Sequence, residues 1–317
     1  MTGRARALSI GRLEQLVTIH GALLRDARRN SAFQRALAAR VRPGCAVLDI
    51  GAGTGLWAIV AARLGAGRVV AVEKERLLVP LIEALASENG VADRVRAVCG
   101  DSRRLALGGR FDVVVSETVG NQGFEEDHVA IMADARRRFL RRGGAIIPET
   151  LSLLAAPVAE RARVRRSPIR RRVFDALAVQ FPRSPAAAAR LRLLGRPAEL
   201  LRVDLRRAGA AVRLERLAAR WRLRRARRLD GVAVWVAMRL APGIRLDTLS
   251  GTHWSPTVLG IEPRPCQPAN LTLRADLSPA TPRWEVGLTT RGRSTLEAHA
   301  PLFAYGWIKS RLAKARG

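Results

Sequence analysis

Residues 47–55 read Val47-Leu48-Asp49-Ile50-Gly51-Ala52-Gly53-Thr54-Gly55. An apolar run of strand length passes directly into three alternating glycines, and a helical pattern over residues 56–64 follows at once. Glycine allows a tight turn and lets a ligand approach the backbone closely. Further strands are predicted over residues 68–72, 95–99, 111–116 and 145–147, with helices over residues 77–87 and 128–140. Strand–helix alternation at this spacing predicts an α/β fold: a Rossmann-like parallel sheet with helices on both faces.

The flanks read differently. Upstream, Leu16, Ile19, Leu23 and Leu24, then Phe33, Leu37 and Val41, recur at helical spacing. Two N-terminal helices are expected, broken near Asn30-Ser31, with Ser31 capping the second. Downstream of Pro148, a strand is expected over residues 151–158. An arginine run covers residues 161–172, and an Ala/Leu/Arg stretch over residues 186–194 reads as helix. From Ala198 onward, short apolar runs alternate with turn signals such as Ala241-Pro242-Gly243, which predicts a β-barrel-like second domain. The expected domains are residues 1–42, 43–150 and 151–317.

The chain has 317 residues and 48% hydrophobic content, enough for a substantial core. No run of eighteen apolar residues and no signal peptide are read, so no membrane span is expected. Cys45, Cys99 and Cys266 are widely spaced, with no CxxC pair. They predict neither a disulfide framework nor a metal site and fit a reducing cytoplasm. The net charge is +29, and of 56 basic residues only Lys74, Lys309 and Lys314 are lysines. A charge of this size suits a polyanion partner such as nucleic acid. Its spread over many segments, with only 4% aromatics, also suits a solvated arginine-rich surface.

Two acids frame the cofactor reading. Glu73 ends the second predicted strand, where a carboxylate can accept from both ribose hydroxyls of an adenosine cofactor. Asp101, followed by Ser102, ends the third. The fold alone permits a dinucleotide, but the glycines are spaced Gly-x-Gly-x-Gly. This strand–acid–glycine pattern resembles the class I S-adenosylmethionine (SAM)-dependent methyltransferases, with Asp49, Gly51, Gly53, Glu73, Asp101 and Ser102 in the cofactor set. The fourth strand runs into Ser116-Glu117-Thr118-Val119-Gly120, and Glu126 lies nine residues beyond Glu117. Two carboxylates at the ends of one loop suit a planar cation, because each can take one fork of a guanidinium. Glu125 is the other candidate for the second acid.

With that loop the chain resembles the protein arginine methyltransferases, whose double-Glu loop has the form Ser-Glu-x-x-Gly with a second Glu at this spacing. Thr252-His253-Trp254 looks like that family's Thr-His-Trp loop. Ile19-His20 followed by Leu23-Leu24, Asp26 and Arg29 is similar to its N-terminal helix. The resemblance implies that Arg29 pairs with the cofactor carboxylate and orients Glu117. Glu117 and Glu126 would clamp the substrate guanidinium beside Trp254, and His253 would pair with Asp26 to close the site. His20 joins the cofactor set on the same ground.

There are departures from the family pattern. The family's Tyr-Phe-x-x-Tyr stretch is Ile10-Gly11-Arg12-Leu13-Glu14 here. Thr118 stands where many relatives carry Trp, and Arg103 where an acid is common. The expected acceptor is therefore an arginine-containing protein or peptide, or a small guanidine or amine; an RNA-directed methyltransferase or RNA-binding protein is the other reading. The resemblance further implies a homodimer.

Overall fold

The computed structural model describes residues 3–124, 126–160, 185–224, 226–249, 251–266, 268–277, 283–290 and 293–299. Two helices, α1 (Gly3–Arg25) and α2 (Ala27–Arg40), lead into the first strand. Then follow β1 (Ala46–Ile50), α3 (Leu56–Arg63), β2 (Arg68–Glu73), α4 (Val79–Glu88), β3 (Val95–Cys99), β4 (Phe111–Ser116), α5 (His128–Arg138) and β5 (Leu140–Ile147). The five strands form a parallel sheet in the order β3-β2-β1-β4-β5. Every residue of β1 is buried, as a strand flanked on both sides and covered on both faces must be. The chain order reverses between β1 and β4, which opens a crevice beyond their C-terminal ends.

The antiparallel part is built on β6 (Thr150–Glu160) and β10 (Ala226–Ala241), which pair from Thr150↔Arg239 to Val158↔Gly231. On this pair stand β7 (Leu191–Leu193), β8 (Ala198–Asp204), β11 (Ile244–Asp247) and β12 (Thr257–Cys266). A second sheet runs β15 (Arg293–His299), β14 (Arg283–Thr290), β13 (Ala269–Asp276), β9 (Leu217–Leu223). Burial alternates residue by residue along β9 and β13, the signature of strands with one face on a core. Leu153, Trp221, Leu271 and Trp284 fill the space between these sheets.

A single core joins the two parts. Leu151, Val236, Met238, Leu246 and Trp254 pack in the same cluster as Val47, Leu48 and Val114. Burying one continuous apolar surface sets the antiparallel part rigidly over the crevice.

Three expectations are corrected. The break between the first two helices falls at Asp26, not at Asn30-Ser31. The Asp26 carboxylate accepts from Arg29 N at 2.9 Å, and the Asn30 side chain donates to the end carbonyls of Leu23 and Leu24, at 3.3 and 2.8 Å. Ser31 lies inside α2. Residues 186–194 give one helical turn, Pro185–Ala188, and then β7, because β6 offers an edge that pairs Val158↔Leu193. The helix propensity of Ala and Leu yields to that pairing. β5 begins at Leu140, five residues before its expected start, with Gly143 and Gly144 absorbed in a register shift against β4. The arginine run at residues 161–172 lies outside the described residues.

Candidate active site

The glycine turn leaves β1 with Gly51 and Gly53 at φ of 69° and 58°, in the left-handed region. Neither position has room for a side chain. A Cβ at Gly51 would lie 2.4 Å from Thr118 Cγ2, and one at Gly53 2.8 Å from His20 Cε1. Asp49 sits behind this turn rather than in the crevice. It is fully buried, accepts from Ala58 N at 3.0 Å, and burial pushes its carboxyl up to about 7.

Glu73 faces the same crevice from the end of β2. Its two oxygens accept from Gly53 N at 2.7 Å and Glu75 N at 2.8 Å, so backbone donors fix the plane of the carboxylate. Across the crevice, Arg29 donates through Nε and Nη2 to one oxygen of Glu117, Oε2, at 2.9 and 2.5 Å. Both side chains are almost fully buried, at 6% and 7% exposure. The Arg29 guanidinium lies over the Trp57 ring at 4.8 Å, and Phe33 stacks on that ring at 4.9 Å. Burial raises Glu117 to about 7, against the opposing pull of Arg29 and with Glu126 adding to the rise.

Asp26 joins distant pieces of chain. Its Oδ1 caps α2, while its Oδ2 accepts from His253 N at 2.7 Å and lies 2.9 Å from His253 Nδ1. Burial holds the His253 imidazole below its ordinary pKa, with Asp26 pulling the other way. Next along, Trp254 Nε1 donates to Val119 O at 2.7 Å and Ser255 N to Asn121 Oδ1 at 2.8 Å. The loop carrying Glu117 is thus stitched to the loop carrying His253.

Together these groups surround a cavity of about 550 Å³ lined by His20, Arg29, Gly51, Gly53, Glu73, Glu117, Glu126, His253 and Trp254. Helix α1 covers it, and Arg12 on that helix pairs with Glu75 at 2.9 Å. An adjoining cavity of about 390 Å³ is lined by Glu73, Asp101, Ser102, Arg103, Thr118 and Glu126. Here Asp101 is already engaged. Its Oδ1 accepts from Arg103 N and Nε, and its Oδ2 from Arg103 Nη2, at 3.0 to 3.1 Å. Those bonds hold it down at about 2, and Arg103 also reaches Asp127 at 3.2 Å.

Two residues of this site carried no signal in the sequence. Trp57, which supports Arg29, reads as one more apolar residue of α3. His128 is fully buried, kept neutral by a pKa pushed down to about 4, and its Nδ1 lies 2.9 Å from Thr118 Oγ1. It thereby fixes the side chain between the two glutamates.

The donor set fits SAM. Glu73 is braced by backbone donors with its carboxylate on the cavity, as a ribose would require, the glycine turn lines the same cavity, and the Arg29 guanidinium lies across it, where a carboxylate would be matched in charge. Among the described residues, no group of three or more His, Cys, Asp or Glu could hold a metal ion. No helix among them is long and apolar enough to cross a membrane.

Comparison with known proteins agrees with the fold. The chain superposes on the Trypanosoma brucei PRMT1 enzyme–prozyme heterotetrameric complex with AdoHcy at a TM-score of 0.73, covering 90% of this chain and 98% of that one at 17% identity. Arabidopsis thaliana protein arginine methyltransferase 10 gives 0.71, with 89% and 96% covered at 19% identity. The fold is that of the arginine methyltransferases. Residues 47–144 match the methyltransferase domain family. An arginine N(omega)-methyltransferase of Streptomyces achromogenes subsp. streptozoticus is 37% identical over 138 residues, 42% of this chain and 38% of that protein. A probable protein arginine N-methyltransferase 6 of Arabidopsis thaliana is 31% identical over 145 residues, 45% and 33% of the two chains. The chain spans between a third and two fifths of the length of these curated relatives.

Proposed function

We propose that this protein transfers a methyl group from SAM to a guanidinium nitrogen of arginine, with Glu117 and Glu126 as the clamp. The observation that carries the reading is the buried Arg29–Glu117 pair. Arg29 donates through both Nε and Nη2 to one oxygen, so the Glu117 carboxylate is held in one orientation over the cavity. A carboxylate fixed in this way accepts from a planar cation in a defined plane and localises the lone pair of the attacking nitrogen.

When bound, SAM supplies an electrophilic sulfonium methyl; the C–N bond forms as the C–S bond breaks, and that electron pair stays on sulfur. Glu73 would hold the ribose and Arg29 the cofactor carboxylate. Glu117 and Glu126 would orient the acceptor, with Trp254 against it. His253, kept neutral by burial and directed by Asp26, is a base for the proton that the methylated nitrogen loses. Ser102 remains with the adenine end, whereas the Arg103 clasp weighs against a direct role for Asp101 there.

The proposed acceptor is an arginine-bearing protein or peptide, or a small guanidine. The name of the Streptomyces relative supports arginine as the acceptor. A second copy of the chain and a polyanion are the other proposed partners, the first supported by the heterotetrameric assembly of the Trypanosoma brucei protein and the second by the charge of +29.

Incubation with labelled SAM and either free arginine or arginine peptides tests the reading. Glu117→Gln should lower transfer at least about 100-fold while SAM affinity stays within a few fold. Normal methylation by that variant would remove the clamp from the proposal.

A further inference from the structure

Arg40, Arg110, Arg136, Arg141, Arg142 and Arg206 line a groove of about 760 Å³ along β5, the edge strand of the parallel sheet. Arg110 directly precedes β4, and Arg141 and Arg142 lie in the first turn of β5. The groove therefore opens where these strands begin, whereas Glu73 and Glu117 stand where β2 and β4 finish.

The guanidiniums outnumber the carboxylates that answer them. Arg141 pairs with Asp112 at 2.7 Å and Arg206 with Asp204 at 2.7 Å. Glu149, buried at 3% exposure, is shared by Arg40 at 2.5 Å, Arg239 at 3.0 Å and Arg206 at 3.9 Å. Arg110 and Arg136 are held by neutral groups instead. Arg110 Nη1 donates to Leu140 O at 2.8 Å, and Arg136 donates to Leu205 O at 2.7 Å and Ala208 O at 2.8 Å. Arg142 makes no hydrogen bond or ion pair among the described residues.

A carbonyl leaves the charge of a guanidinium uncompensated but fixes its direction. Arginines that merely guard an edge strand from pairing need no such anchoring. Here two of them are aimed and a third stands ready beside them. For Arg110 and Arg136, part of the entropy of ordering the side chain is met before any ligand arrives.

We propose that this groove binds a small polyphosphate anion of nucleotide size, held chiefly by Arg110, Arg136 and Arg142. Guanidinium groups match phosphate oxygens in geometry as well as charge. The volume lies in the range of small-ligand sites, roughly 300–1,000 Å³. Among the described residues no aromatic side chain lines the groove, so they offer no platform on which single-stranded nucleic acid stacks its bases. The proposal is independent of the acceptor chemistry, since its residues share nothing with the site at the other end of the sheet.

Calorimetric titration of the full chain with inorganic triphosphate tests it, beside an Arg110→Ala/Arg142→Ala double variant. Arg96→Ala, at an exposed position of β3 on the far edge of the sheet, is the control. Saturable binding is expected, weakened by about tenfold or more in the double variant and unchanged in the control. The idea fails if triphosphate does not saturate, or if the control loses as much affinity as the double variant. A short oligoribonucleotide that binds more tightly than triphosphate and loses affinity on the same two substitutions would assign the groove to nucleic acid instead. Should the double variant melt early, Arg142→Glu, at an exposed position with no side-chain partner among the described residues, repeats the test and should abolish binding.

Discussion

At the end of the parallel sheet where β1, β2 and β4 finish, Glu73, Glu117 and Glu126 face a cavity whose interior holds one buried guanidinium, Arg29, with the Arg12–Glu75 pair at its rim. At the end where β4 and β5 begin, six arginines line a groove in which the buried carboxylate among the described residues is Glu149. Each end contains a single buried charge of the minority sign, and each leaves the majority sign in excess. The minority charge serves as a brace: Arg29 orients Glu117, and Glu149 gathers Arg40, Arg206 and Arg239. The two ends differ in how dry they are. Arg29 and Glu117 are both almost fully buried, whereas the arginines around Glu149 keep a quarter to nearly half of their side chains exposed, at 26% to 45%.

Removing each brace measures that difference. Arg29→Ala leaves a buried carboxylate unpaired and should cost about 3–5 kcal/mol, with Glu117 driven further up in pKa. Glu149→Gln keeps the shape and leaves guanidiniums that water can still reach, so the expected cost is about 1–3 kcal/mol. Urea melts of both variants give the comparison. Equal costs would mean that the two ends are solvated alike.

The parallel half was legible from its residues because buried parallel strands are continuous apolar runs, and residues 47–55 and 111–116 have no other reading. That Glu117 and Glu126 line one cavity was legible because both lie on one short segment. Asp26 as a helix cap was not: the resemblance paired it with His253, 227 positions away, while the polar Asn30-Ser31 step drew the helix break to itself. The Glu149 cluster was equally hidden. Arg40, Glu149, Arg206 and Arg239 come from four separate elements, and a net charge of +29 does not say which arginines are answered and which are not. Asp101 shows the converse. The residue and its strand end were read from sequence, but Arg103, two positions on, takes up its oxygens.

Behind the glycine turn a smaller effect should appear with pH. Asp49 is raised from its ordinary value of 3.8 to about 7, first by burial and then by Glu73 and Glu117 against the Ala58 N–H. The folded state therefore holds this proton where the unfolded chain has lost it. Stability from this group is complete below pH 3.8 and is lost as pH rises through about 7. Asp49→Asn, which cannot ionise, should gain on the native protein across that window when the two are melted side by side. A gap that stays constant with pH would show Asp49 to be ionised throughout.

The smallest effect is expected at the rim. Arg12 stands in the stretch where the family's aromatic motif is missing, and it ties α1 to Glu75 through Nε at 3.1 Å and Nη2 at 2.9 Å. Its side chain is 49% exposed, so the pair is screened by salt and worth only about 0.2–1 kcal/mol. Among the described side chains of α1, Leu16 is a buried apolar residue beneath it. If the ion pair latches the helix over the cofactor, Arg12→Ala should weaken SAM binding by up to about fivefold at low salt, and less at high salt, with turnover at saturating cofactor unchanged. If affinity does not move at either salt concentration, Leu16 alone seats the helix, and Leu16→Ala should then show the larger loss.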